Sequence, residues 1–135
     1  MRVLTVESLT GMLRRCYEYP NYHGAILFDR NEDKKEFIRT VASQVEGGSV
    51  PGIEKITRFG TIKFRNGSEI KAIIAEENKL YGIRVNEVIG DRQYSDDLMR
   101  CLRIELYSCE NDEDALREDE NVCSLDAFLS QFKIL

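Results

Sequence analysis

Two Asp-Arg pairs, Asp29-Arg30 and Asp91-Arg92, each stand directly after a short apolar run, "HGAILF" and "VNEVIG". The placement matters because open α/β sheets bind ligands beyond the carboxyl ends of their strands. A carboxylate there can hold Mg²⁺, and a guanidinium can hold phosphate oxygens. Charges past strand ends are also ordinary solvated loop, and the pairs alone do not choose between the two. Other chemistry is thinly represented. The four cysteines, Cys16, Cys101, Cys109 and Cys123, form no CxxC pair, and the single histidine, His23, is remote from them in sequence. Zinc sites use closely spaced ligand pairs, so no metal site is expected; the thiols read as buried or free. One histidine supports no nucleophile–base–acid set, and His23, just ahead of an apolar run, reads as a surface or edge residue.

The elements that must position these pairs follow from periodicity. In "SLTGMLRRCYEY", Leu9, Met12, Leu13 and Cys16 recur at the spacing of an amphipathic helix, which Pro20 ends. Ala25 to Phe28 form a continuous apolar run, the pattern of a strand covered on both faces. A second helix opens with Asn31 as its N-cap, buries Phe37, Ile38, Val41 and Val45, and stops at Gly47-Gly48. Between Ile53 and Ala75 the period changes, and Asn66-Gly67 predicts a two-residue hairpin pairing "TIKFR" with "EIKAII" antiparallel. "GIRVNEVIGD" reads as one further strand, Ser95 caps a helix over "SDDLMRCL", "RIELYSC" reads as a strand, and residues 124–133 form a final amphipathic helix. This predicts a single α/β domain over residues 1–135: a three-layer sandwich around a central mixed sheet with an inserted β-hairpin.

Composition narrows the classes of function. With 135 residues, 42% hydrophobic and 32% charged, the chain fits one globular domain. No apolar run approaches the ~20 residues that span a bilayer, so no membrane partner is expected. The early charges of "MRVLTVESLTGMLRRC" do not fit a signal peptide, so the expected location is the cytoplasm. The net charge of -5 argues against a dominant grip on nucleic acid, although Arg14, Arg15, Lys34, Lys35, Arg39, Lys55, Arg58, Lys63 and Arg65 make the N-terminal half locally basic. Acid is concentrated in "CENDEDALREDEN", residues 109–121, where Glu110, Asp112, Glu113, Asp114, Glu118, Asp119 and Glu120 stand against Arg117 alone. Such a run is a solvated loop or a surface that docks a protein partner. The apolar stripe of the last helix, ending in "FKIL", is the candidate contact for a homodimer.

Three segments, taken in order, are similar to the ATPase core of bacteriophage large terminase subunits. They are "LTGMLRRCYEYPNYHGAILFDRNEDKKEF", "GTIKFRNGSEI" and "LYGIRVNEVIGD", and the resemblance covers roughly residues 8–91. It implies a P-loop-NTPase-like frame in which Ser8, Leu9 and Thr10 occupy the place of the Gly-Lys-Ser/Thr that holds phosphate and Mg²⁺. Thr10 keeps a hydroxyl, Leu9 has no charge, and "RVLTVE" upstream has no glycine. Asp91 stands where the magnesium carboxylate belongs, and Arg92 replaces the glutamate that activates water. The resemblance therefore implies a remnant nucleotide site at Thr10, Asp91 and Arg92, no catalytic residue, and no Mg-ATP cofactor. It points to a non-catalytic terminase-like module of phage or prophage origin that works by protein contacts. Two alternatives stand beside it: a small acidic phage regulatory or anti-defence inhibitor, and an enzyme with a non-standard nucleotide or nucleic-acid site.

Overall fold

A computed structural model describes residues 2–46, 52–76 and 81–106. The described elements are β1 (Arg2–Val3), α1 (Val6–Glu18), β2 (His23–Phe28), α2 (Asn31–Glu46), β3 (Ile53–Ile56), β4 (Thr61–Phe64), β5 (Glu69–Ile74), β6 (Arg84–Val85), β7 (Glu87–Gly90), α3 (Asp96–Cys101) and β8 (Glu105–Leu106). Six strands make one mixed sheet in the order β1-β7-β2-β5-β4-β3, and β6 and β8 make a small parallel pair. β1, β7, β2 and β5 run parallel, while β4 and β3 are antiparallel additions beyond β5. The acidic run 109–121 and the helix expected over 124–133 lie outside the described residues.

The layers follow from crossover handedness. The steps β1→β2 and β2→β5 go the same way across the sheet, so right-handed connections put α1 and α2 on one face. The step from β5 back to β7 reverses direction and sends its connection over the other face. Side-chain alternation then sorts the core. Ile26, Phe28, Ile70, Ala72, Ile74 and Ile89 pack with Leu9, Met12, Leu13 and Cys16 of α1 and with Phe37 and Val41 of α2. Ala25, Leu27, Ile73 and Val88 pack on the opposite face with Val85, Met99, Leu102 and Ile104. β2 is buried on both sides, as its unbroken apolar run predicts.

α1 lies very close to β2. A Cβ added at Gly24 would sit 2.7 Å from Met12 Sδ, so a larger side chain here would have to push the Met12 side chain aside. The end of α1 is tied down by the hairpin. Asn66 Nδ2 donates to Cys16 O at 2.7 Å and to Tyr19 O at 3.3 Å, and Ser68 Oγ donates to Tyr19 O at 2.8 Å while accepting from Tyr22 N at 3.0 Å. The Asn-Gly-Ser segment thus satisfies helix-terminal carbonyls that have no partner inside the helix.

Four expectations need correction. The hairpin is not a two-residue turn with positive φ at both positions. Phe64 N donates to Ser68 O and Gly67 N donates to Phe64 O, a three-residue loop in which Gly67 (φ 89) alone takes the left-handed conformation. "GIRVNEVIGD" is not one strand either. Asn86 donates its N–H to His23 O at 2.7 Å and accepts from His23 N at 2.9 Å; residues after it join β2, while Arg84 and Val85 before it pair with β8. The described part of the strand expected over 103–109 is only Glu105–Leu106. The second helix begins one residue early, with Arg30 O accepting the first helical bond from Lys34 N.

Candidate functional site

β7 and β2 lie side by side and parallel, and their chains leave toward opposite faces, β2 into α2 and β7 toward α3. Adjacent strands that diverge in this way open a crevice at their carboxyl ends, where doubly wound sheets place ligands. The parallel ladder continues one residue past β7: Asp91 N donates to Leu27 O at 2.9 Å, setting the Asp91 side chain beside the end of β2. Asp91 Oδ2 accepts from Asp29 N at 3.0 Å, and Oδ1 accepts from the Tyr94 hydroxyl at 2.5 Å. The Arg92 guanidinium lies 3.4 Å from Asp29 Oδ2 and 3.7 Å from Asp91 Oδ1.

The strand ends therefore bring Asp29, Asp91 and Arg92 together, with Tyr94 added. The first Asp-Arg pair is divided: Arg30 turns to Asp33 on the first turn of α2, at 3.6 Å. Asp91 is the most enclosed of the group, its side chain 17% exposed against 44% for Asp29 and 58% for Arg92. Burial pushes the Tyr94 phenol well above the ordinary tyrosine range, and its hydrogen bond to Asp91 and the Asp91 charge push the same way. At neutral pH the phenol stays protonated and donates. Both oxygens of Asp91 are thus engaged from within the chain. The arrangement braces the β2–α2 and β7–α3 turns against each other; a free general base would need an oxygen open to substrate.

Thr10 does not join this group. α1 starts at Val6, two residues ahead of the pattern read from the sequence, because Thr5 caps it: Thr5 Oγ1 accepts from Ser8 N at 3.1 Å and Ser8 Oγ accepts from Thr5 N at 2.8 Å, a reciprocal box. Only Leu4 and Thr5 separate β1 from α1. Ser8 also donates to Val3 O at 2.8 Å, Leu9 is 1% exposed in the core, and the Thr10 hydroxyl donates to Val6 O at 2.6 Å, one turn back along the helix. All three positions matched to a phosphate loop serve helix capping or packing. The sequence signal for this was Thr5-x-x-Ser8, a capping pattern with serine in the place usually held by Glu or Gln.

At the other end of the sheet a second polar group was not read from the sequence. Arg15 Nη1 lies 3.0 and 3.2 Å from the two oxygens of Glu87, whose Oε1 also accepts from the Tyr22 hydroxyl at 3.0 Å. Both charged side chains are 12% exposed. Burial, followed by the Glu87 charge, raises the Cys16 thiol well above its usual range. This group joins α1 to β7 at the amino end of the strands, away from the ligand-binding end. Among the described residues no three His, Cys, Asp or Glu side chains converge as a metal ion needs, and no helix is long and apolar enough to cross a membrane. Glu110, Asp112, Glu113, Asp114, Glu118, Asp119 and Glu120, expected to face a partner, lie outside the described residues.

Comparison with known proteins returned nothing. No family model, no curated protein and no solved structure matches the chain.

Proposed function

We propose that this chain is a non-catalytic α/β module, a terminase-like ATPase core of phage or prophage origin that works through protein contacts. One observation carries the reading. Where the resemblance calls for a phosphate-binding lysine, Leu9 is sealed in the core at 1% exposure, and the hydroxyls on either side of it are bonded to the helix and strand that hold it. A lysine at that position would have to bury an ammonium group, which is strongly unfavourable without a partner. At the strand ends, Asp91 is engaged by Asp29 and Tyr94, and Arg92 closes over the pair. A cation there attracts phosphate oxygens and cannot polarise a water for attack, so among the described residues the electrostatic terms of phosphoryl transfer have no carrier.

The test is direct. Titration calorimetry with Mg-ATP and Mg-GTP should show no saturable heat, and a phosphate-release assay should give no signal above the protein-free blank. Micromolar binding with turnover that Asp91→Ala abolishes while the fold is kept would overturn the reading.

A further inference from the structure

Among the described residues, the cover on the face opposite α1 and α2 is uneven. α3 and the β6–β8 pair pack on Ala25, Leu27, Ile73 and Val88, toward β7 and β2. Farther across, Ile62 and Phe64 of β4, Ile70 and Ala72 of β5, and Ile53 and Ile56 of β3 all turn to the α1–α2 side. Alternation and register send Lys55, Lys63 and Lys71 to the other face, together with Thr61 and Glu69. Lys55, Lys63, Glu69 and His23 stand side by side on one rung across β3, β4, β5 and β2.

The charges on this rung are not balanced. Glu69 Oε1 lies 3.2 Å from His23 Nδ1 and 3.9 Å from Lys71 Nζ. Among the described residues no carboxylate pairs with Lys55 or Lys63, although the two face each other directly, an arrangement that destabilises a sheet. Edge protection accounts for a lysine on β3, the outermost strand, but not for Lys63 one strand in or Lys71 two strands in. The turn joining β3 to β4 carries Phe59, 73% exposed, with the Arg58 guanidinium 5.2 Å from its ring centroid. A bare aromatic ring at the tip of the hairpin whose strands carry Lys55 and Lys63 is the equipment that sequence-tolerant single-strand binding needs: cations for phosphates and a flat face for a base.

We propose that this lysine-bearing face of β3–β5, with Phe59 at the hairpin tip, binds single-stranded nucleic acid. Lys55, Lys63 and Lys71 hold the phosphate backbone, and Phe59, flanked by Arg58, stacks with a base. The overall charge of -5 does not oppose this locally, because residues 53–74 carry Lys55, Arg58, Lys63, Arg65 and Lys71 against Glu54 and Glu69. An acidic peptide would also satisfy the lysines; the exposed ring is what favours a nucleic acid. This face is distinct from the strand-end group, and the inference stands whether or not that group binds nucleotide.

The experiment is fluorescence anisotropy of a labelled oligothymidylate with the full chain. Three neutralised phosphates on a single strand give a slope of log affinity against log salt of about -2, so affinity should fall roughly 20-fold between ~50 and ~200 mM salt. The double variant Lys55→Gln/Lys63→Gln should reduce the slope to about -0.7, and Phe59→Ala should weaken binding at least about fivefold. These side chains lie outside the core, so circular dichroism of each variant should match the parent. The proposal is overturned by an absence of saturable binding at low salt or by an unchanged slope in the double variant. It is equally overturned if poly-L-glutamate of matched charge competes as well as unlabelled oligothymidylate, an outcome that would assign the face to an acidic protein.

Discussion

Replacing Glu87 by alanine probes how α1 is held on the sheet. The carboxylate, on the first residue of β7, faces Arg15 at 3.0 and 3.2 Å and the Tyr22 hydroxyl at 3.0 Å, and both charged side chains are 12% exposed. Truncation leaves the Arg15 charge largely out of water without the carboxylate it faces, and takes an acceptor from Tyr22. Breaking a buried pair from one side costs about 3–5 kcal/mol. The remaining exposure lets water reach the guanidinium, so the low end, about 3 kcal/mol, is expected, or roughly 10 °C in Tm for a chain of this size. Urea unfolding followed by far-ultraviolet circular dichroism should show the midpoint falling with the slope unchanged. Removing the charge from both sides, in Arg15→Met/Glu87→Leu, should recover most of the loss, because the desolvation of both ions is removed with their attraction. A loss below about 1 kcal/mol for Glu87→Ala is the value of a solvent-screened surface pair, and it would refute the claim that this network anchors the helix.

Three further outcomes are expected. Gly67→Ala should destabilise the fold by more than about 1 kcal/mol, read from the same urea curves, because Gly67 has φ 89 and an added Cβ would fall 2.2 Å from Asn21 Oδ1. The raised Tyr94 phenol makes stability pH-dependent in one direction. Its contribution is fully present below the ordinary tyrosine value of 10.0 and is lost as pH rises beyond it, because the unfolded chain releases that proton first. Thermal melts above pH ~10 should decline less steeply for Tyr94→Phe than for the parent; parallel declines would refute a raised Tyr94 phenol. In a variant with Cys16 as the sole cysteine, a thiol reagent should react at the rate of unfolding, since the thiol is 0% exposed and burial raises it. Fast native-state labelling would contradict that burial.

Much of the frame was legible in local pattern. The apolar spacing from Leu9 to Cys16 and from Phe37 to Val41 located two helices, and the run Ala25–Phe28 located the central strand, because burial on one stripe or on both faces imposes its own period. Asn66-Gly67 located the hairpin, yet its loop geometry depended on more than the dipeptide: Asn21 approaches so closely that only glycine fits at 67. The division of "GIRVNEVIGD" at Asn86 had one trace in the sequence. Val85 and Val88, three apart, point to the same face, which a single period-two strand cannot do.

The candidate site was half legible. Asp91 and Asp29 could be placed past strand ends by counting along apolar runs, so their position was determined by local chain chemistry. Whether they meet was decided by the order of strands: β7 lies beside β2 only because the chain reverses direction after β5. Tyr94 carried no signal, since a hydrogen bond across a turn needs the turn to exist first. Thr10 lies one turn inside α1, because a helix start depends on which side chain caps it, and Thr5 with Ser8 sets that start at Val6, two residues upstream of the apolar pattern. The sequence by itself determined α1, α2, the central strand and the hairpin strands, because their periods are properties of neighbouring residues. Only the tertiary structure decided which charges face each other, because pairings such as Arg15 with Glu87, or Lys55 with Lys63, depend on crossovers and register that no local pattern records.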